Sequence, residues 1–425
     1  MLEESGAGHY NWAGNLRYAA AEIAQPATVE ELQALVAAAP SVRAVGTRHS
    51  FNDIADSPAL MINLEKLIST PELDESALTV TVDAGMRYGD LAGFLVERGY
   101  ALHNLASLPH ISVAGAVATA THGSGNLNGN LATAVAALEL VTADGGLLRV
   151  DRSSPDCNGM VVSLGALGIN TRITLDVEPA YEVRQDVFTG VPWSSVEENF
   201  NEITSAAYSV SIFSSLAGPE ASQVWLKSRT DAELPYAGKP DFFGGTAAAE
   251  PMHPLPGMSA VNCSQQMGVP GPWSDRLSHF RLAFTPSNGD ELQSEYLMDR
   301  GSAVEAIGIL RGMSAEIAPL LQVCEIRTMA GDDLWLSTNY GADSVGFHFT
   351  WKPRQDDVEA LLPRMEAALA HLLPRPHWGK LFTLDQEQLQ ELYPRFGDFR
   401  DLALRLDPDG KFVNSFLSRK VLGQA

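Results

Sequence analysis

The chain has 425 residues, 45% hydrophobic and 19% charged, a globular composition at a length that favours two domains over one core. Its 29 Lys and Arg against 52 Asp and Glu leave a formal net charge of -23, which disfavours nucleic acid and anionic membrane surfaces and suits a small neutral substrate. No apolar run is long enough to span a bilayer, the start MLEESGAGHY has no leader-like character, and neither the histidines nor Cys157, Cys263 and Cys324 show metal-site spacing; a cytoplasmic protein with no metal and no disulfide framework is expected.

In chain order, PATVEELQALVAAAP reads as a helix, with Thr28 and Glu31 in capping-box relation and Val29, Leu32, Leu35 and Val36 at helical spacing. The short strand VRAV follows, and then the polar loop VGTRHSFND, residues 45–53, in which His49 is either a solvated loop residue or a functional imidazole. ALTVTVDAG alternates, with Leu78, Val80 and Val82 on one face, and RYGDLAGFLVERG places Tyr88, Leu91, Phe94 and Leu95 on one helical face before Gly99. Strand and helix keep alternating as far as INTRITLDV, so an α+β domain is expected to about residue 178. Within it, residues 106–130, ASLPHISVAGAVATATHGSGNLNGN, are almost all small. Such a run either packs elements tightly or leaves peptide N–H groups free to cradle a pyrophosphate without spending positive charge. No GxGxxG or Walker A pattern is present.

From Tyr181 the character shifts, and seven prolines between residues 234 and 276 exclude long regular elements there. Two alternating strands stand out beyond. VCEIRTM, 323–329, sets Glu325 and Arg327 against Cys324 and Ile326; GFHFTWK, 346–352, sets His348 and Thr350 against Phe347, Phe349 and Trp351. These polar faces are either solvated or a set of donors and acceptors for several hydroxyl groups. In RPHWGKLF, Lys380 is either a surface lysine or a pocket amine whose lowered pKa suits a base.

Taken in order, NWAGNLRY, GTRHSFN, ASLPHISVAG, THGSG, SLGALGI, CEIRT, HFTW, PHWGK and LDPDGKFVN resemble the vanillyl-alcohol oxidase-type family of FAD-dependent oxidoreductases, and within it the alditol (xylitol) oxidases, over nearly the whole chain. The resemblance implies an α+β, two-domain flavoprotein. A PCMH-type FAD-binding domain of two α+β subdomains would span residues 1–178. A substrate domain with a large antiparallel sheet flanked by helices would span 179–384, and residues 385–425 would return to the FAD-binding domain. It further implies FAD joined covalently through His49, with Gly46, Thr47, Arg48, His49, Ser50, Phe51 and Asn52 around the pyrophosphate. Ser107, Ser112, Gly115, Thr119, Ala120, Thr121 and His122 would supply further flavin contacts, with Ile169 near the adenine and His377 near the ring. Arg48 departs from the small residue found in some family members.

For the substrate, the resemblance points to Ser107, Glu325, Arg327, Thr350 and Lys380, with Lys380 the first candidate for the catalytic base and His348 the second. The implied reaction takes the terminal primary alcohol of an acyclic polyol (xylitol, sorbitol or glycerol) to the aldose and reduces O2 to H2O2, in a monomer. An aldonolactone oxidase or dehydrogenase, which shares an HWGK-like motif, is the alternative enzyme. A carbohydrate-binding protein without turnover is the alternative from another class.

Overall fold

A computed structural model describes residues 9–284 and 291–423; most of the N-terminal stretch read for a leader, residues 1–8, lies outside them. The helix Val29–Ala38 forms where its spacing predicts. Thr28 Oγ1 accepts from the Glu31 N–H, and the Glu31 carboxylate reaches back to the Ala27 N–H, one residue earlier than a strict capping box requires. Its buried Leu32 and Val36 cover a small parallel sheet in which Leu60–Ile62 lies between Glu22–Ala24 and Val42–Ala44. The loop carrying His49 leaves the carboxyl end of Val42–Ala44, the end of a parallel sheet at which ligand crevices open.

A five-stranded antiparallel sheet follows, ordered Glu72–Asp74, Thr79–Asp83, Ile169–Asp176, Val135–Val141, Leu147–Asp151. Val80 and Val82 are fully buried in it. Leu78 departs from the expected alternation: it is 42% exposed in the preceding turn at φ 53°, so the period was extended one residue beyond the strand. The helix Tyr88–Val96 buries Tyr88, Leu91 and Leu95, leaves Phe94 at the margin, and ends ahead of Gly99 at φ 78°.

Residues 182–376 contribute a ten-stranded antiparallel sheet. At its centre run Ser209–Ser214, Leu321–Met329, Ser344–Trp351 and Leu292–Asp299, in that order. Cys324, Ile326, Phe347, Phe349 and Trp351 pack on one face into a core with the helices Ala303–Gly312 and Gln355–Leu369. The proline-rich stretch between residues 234 and 276 holds only two- and three-residue strands, a 3-10 turn and one four-residue helix, Trp273–Arg276, as its composition demands. The three cysteines are free and buried, and among the described residues no helix is long and apolar enough to cross a membrane.

The last helices, Gln386–Leu392 and Phe396–Leu406, bury Leu389, Phe396, Phe399 and Leu402 in the same core as Val82, Leu91 and Ile173. Beyond them LDPDGKFVN acts as a clamp. The Val42 N–H donates to the Lys411 carbonyl, the buried Arg43 guanidinium donates to the Phe412 and Ile54 carbonyls, and the Asn414 amide donates to the carbonyls of Asp53, Ile54 and Asp56. The His49 loop is thus held at both ends by chain about 360 residues away, as the Asn414 to Ile54 separation of 360 shows.

Candidate active site

The loop and the polar face of the large sheet enclose one cavity, with an empty volume of about 2040 Å³ including its mouth. On the loop side it is lined by Gly46, Thr47, Arg48, His49, Ser50 and Phe51. The backbone N–H groups of Gly46 through Ser50 find no acceptor among the described residues, five donors in succession facing a concavity. Such a nest binds anionic oxygens. The close approach is built in: a Cβ on Gly46 would lie 2.2 Å from Ser112 Oγ, and one on Gly115 would lie 2.9 Å from the same atom.

His49 stacks on Trp12 with ring centroids 5.2 Å apart and places Nδ1 3.0 Å from Thr47 Oγ1. Burial, with His110 in second place, pushes its pKa down to about 4, so the ring is neutral at pH 7. Its Nε2 is buried without a partner. A buried, unpartnered ring nitrogen on a neutral imidazole marks a position where something else belongs. Arg48 takes a left-handed φ of 63°, and nothing in the structure explains an arginine there.

Ser107, Ser112, Gly115, Thr119, Thr121, His122 and His377 also line the cavity. Three expected contacts do not. Asn52 turns away and donates to the carbonyls of Trp378 and Lys380, at 2.9 and 2.7 Å. Ala120 is fully buried beneath the small-residue run. Ile169 is buried in the core with Leu32, Val36 and Phe412, while its strand neighbours Gly168 and Asn170 face the cavity. The alternation of that strand sends odd and even residues to opposite sides, and Ile169 falls on the core side.

The opposite wall is the polar face. Register pairs Glu325 with His348 and His348 with Glu295, so the three stand in one row across adjacent strands. Glu295 is the group that joins the rest. Its carboxylate accepts from Arg327 Nη2 at 2.8 Å and from Lys380 Nζ at 2.6 Å, and lies 3.2 Å from His122 Nε2. Burial by itself would raise its pKa, but Lys380, His122 and Arg327 hold the carboxyl well below the usual range. Lys380 Nζ also lies 2.5 Å from His348 Nδ1, and His348 Nε2 lies 3.2 Å from Thr350 Oγ1. Burial lowers the Lys380 pKa, and it pushes His348 down to about 4 with the help of Lys380. Arg327 Nη1 donates to Ser107 Oγ at 3.3 Å, and Glu325 accepts from His279 Nε2 at 2.7 Å. Glu325 is likewise held low despite its burial, by Arg327 and His279.

Every substrate residue expected from the sequence, Ser107, Glu325, Arg327, His348, Thr350 and Lys380, therefore lines this one cavity. Sequence reasoning missed Glu295, Gln293, His279, Lys227 and Trp12. The alternation in LQSEYLMD would have placed Gln293 and Glu295 on one face; His279 lies outside any strand and carries no such signal.

A cradle of backbone donors thus faces a wall of charged and hydroxyl groups, and similarity to known proteins gives that arrangement its class. A family model described as an FAD binding domain matches residues 20–151, and one described as D-arabinono-1,4-lactone oxidase matches residues 289–420. An alditol oxidase from a Streptomyces species is 50% identical over 413 residues, covering 96% of this chain and 97% of that one. The L-gulono-1,4-lactone dehydrogenase of Mycobacterium tuberculosis is 28% identical over 435 residues, covering 97% and 98%. Among solved structures, a cholesterol oxidase from B. sterolicum superposes with a TM-score of 0.78 at 15% identity, over 98% of this chain and 96% of that one, a likeness of fold alone. The protein is an FAD-dependent oxidase of the vanillyl-alcohol oxidase type. Within that class, the chain belongs to the alditol oxidase family.

The cradle yields a direct test. Gly46→Val places a branched side chain where even a Cβ would collide with Ser112 Oγ, so the purified variant should lose most of its flavin absorbance while keeping its far-ultraviolet circular dichroism. Adding Ser112→Gly should restore part of it. Full flavin content in Gly46→Val would show that the close approach does not matter.

Proposed function

We propose that the protein oxidises the terminal primary alcohol of acyclic polyols, xylitol and sorbitol first and glycerol also, to the aldose, with O2 reduced to H2O2. Bound FAD supplies the two-electron acceptor and its reoxidation by O2. The observation that carries the reading is Lys380: a largely buried amine held between Glu295 and His348, in the same cavity as the Gly46–Ser50 cradle and beside a sheet face furnished for hydroxyl groups.

The chain's own residues then divide the work. Gly46, Thr47, Arg48 and Ser50 would hold the cofactor's phosphates, with Phe51 tied to Gly379 at the end of the cradle and Ser107, Ser112, Gly115, Thr119, Thr121, His122 and His377 lining the rest of its pocket. Asn52, Ala120 and Ile169 act from behind, through the backbone they support. Lys380 accepts the alcohol proton. As a neutral amine it spends its two N–H groups on Glu295 Oε2 and His348 Nδ1, which leaves the third position on nitrogen for the substrate hydroxyl. Once protonated it stands beside a carboxylate, so the transfer creates no unpaired charge. His348 suits the role less well because both its nitrogens are engaged, one by Lys380 and one by Thr350. Glu325, Arg327, Thr350 and Ser107 hold the remaining hydroxyls and so fix which carbon is presented.

The proposed division is into a cofactor part, residues 1–178 with 385–425, and a substrate part, 179–384, with His377 reaching the cofactor from the substrate part. With an acidic surface and a small neutral substrate, the protein works as a cytoplasmic monomer. The reading is tested by screening polyols against aldonolactones with peroxide detection. Peroxide from xylitol or sorbitol is expected. Turnover of lactones alone would favour the second reading, an aldonolactone oxidase or dehydrogenase, which the match over residues 289–420 supports. A colourless protein without turnover would indicate a carbohydrate-binding role.

The attachment of FAD through His49 rests on the neutral ring and its unpartnered nitrogen. After denaturation in acid, yellow colour should stay with the polypeptide, and His49→Ala should release it; complete release from the parent protein rules the bond out.

Lys380→Met keeps the length of the side chain and deletes the amine. Anaerobic flavin reduction by xylitol should slow by roughly 10²- to 10⁴-fold, while the chemically reduced variant reacts with O2 at about the parent rate. Because burial lowers the Lys380 pKa, kcat/KM of the parent should rise with pH as the amine loses its proton, at a pH below the ordinary lysine range, and the variant should lack that rise. Reduction by substrate at an undiminished rate would exclude Lys380 as the base.

A further inference from the structure

Two strands from Glu325, on the same face of the sheet but outside the cavity lining, lies a lysine that the reaction does not use. Lys227, on the strand Glu220–Arg229, is 1% exposed. Its Nζ donates to the carbonyls of Leu277 and Ser278 and lies 3.0 Å from His279 Nδ1. Three acceptors surround a group with three donors and no other partner. Glu325 is an ionised carboxylate with no proton to give, so His279 Nε2 must donate to it; the neutral ring then accepts at Nδ1, where Lys227 Nζ supplies the donor. His279 is kept neutral by burial and by Lys227, which together push its pKa down to about 4. The proton on Nε2 points at Glu325 Oε1, 2.7 Å away. The ring itself is wedged edge-on between Phe213 and Trp225, with centroid distances of 5.6 and 5.3 Å, so it cannot flip without disturbing both.

The same short segment reaches the rest of the site. The His279 N–H donates to the Ser107 carbonyl at 3.0 Å, and Ser278 Oγ donates to the Ala106 carbonyl at 2.9 Å. Lys227 thus anchors the stretch that positions both Ser107 and Glu325. With Glu325 Oε1 occupied by His279, Oε2 is the oxygen left to accept from substrate. Glu325 stands two strands away from Glu295 and its partner Lys380, with the Arg327 guanidinium between the two carboxylates, Nη2 2.8 Å from Glu295 Oε1 and Nε 3.6 Å from Glu325 Oε1. A five-carbon polyol with its first carbon at Lys380 brings several further hydroxyls to Arg327 and Glu325, whereas glycerol brings at most two.

We infer that Lys227 and His279 are positioning residues: Lys227 donates to Nδ1 of His279, His279 holds Glu325 as a one-sided acceptor, and the pair thereby selects polyols long enough to reach it. This rests on the polyol reading above. A mere structural prop would affect all substrates alike, whereas this device acts on the hydroxyls remote from the reacting carbon.

The test compares Lys227→Met, His279→Leu and His279→Gln with the parent holoenzyme on xylitol and glycerol. Loss of a hydrogen bond to a charged group should raise the xylitol KM about tenfold or more in Lys227→Met and His279→Leu, with a smaller effect on kcat, and should lower the xylitol-to-glycerol ratio of kcat/KM by a similar factor. His279→Gln, whose amide donates from the position of Nε2, should recover most of that ratio. Equal losses on both substrates, an unchanged ratio, or a His279→Gln no better than His279→Leu would each overturn the inference. If Lys227→Met does not fold, the two His279 variants decide the matter. A parent that oxidises lactones and neither polyol overturns the proposed function instead, which separates the two failures.

Discussion

A carboxylate at the centre of the molecule sets the terms for everything around it. Glu295 is 1% exposed, and an isolated carboxylate at that depth would cost several kcal/mol or would take up a proton. It stays ionised because three segments distant in sequence bring partners to it: Arg327 from a strand two places away in the sheet, Lys380 from the loop after Pro376, and His122 from the small-residue run of the other core. The dependence is mutual. Lys380 and Arg327 are equally unfit for burial alone, so removing any one member strands the others. The wall of the cavity is therefore one electrostatic unit, with two carboxylates against two cations. A neutral hydroxylated molecule enters it without adding charge.

The rest of the architecture keeps that unit opposite the cradle. The Phe51 N–H donates to the Gly379 carbonyl, and the Asn52 amide donates to the carbonyls of Trp378 and Lys380, so the loop bearing His49 and the loop bearing Lys380 are hydrogen-bonded to each other. From below, Arg43 and Asn414 fasten residues 53–56 to the C-terminal segment. Reactions that move a hydride and a proton together demand sub-ångström placement of both acceptors. Tying the two loops directly, rather than through their separate cores, makes that placement insensitive to small motions between the cores.

The likeness to lactone-acting relatives has a physical basis in the same features. The two family models match the stretch that holds the cradle and the stretch that holds Lys380, residues 20–151 and 289–420. Across the polar face Glu295, His348 and Glu325 stand in one line over adjacent strands, with Gln293 and Thr350 in the row beside it. That line is drawn by strand register, and register is set by the apolar face of the same strands: a slip of one residue would bury Glu325 against the helices and expose Ile326 to the cavity.

Local periodicity decided much of this in advance. The amphipathic helix after Thr28, the buried phase of Val80 and Val82, the facing of Glu325 and Arg327 against Cys324 and Ile326, and the absence of long elements among the prolines all follow from side-chain direction along a helix or strand. Ile169 falls on the core side by the alternation of its own strand, whereas Leu78 escapes the alternation because the strand begins one residue after it. What only the tertiary structure decided is which faces meet. Glu295 joins Lys380 across 85 residues, and His279 joins Glu325 across 46, through cross-strand register and a segment with no period of its own. Sequence spacing specifies the direction of a side chain from its own backbone; the partner that makes a buried charge tolerable is specified only when separate strands are laid side by side.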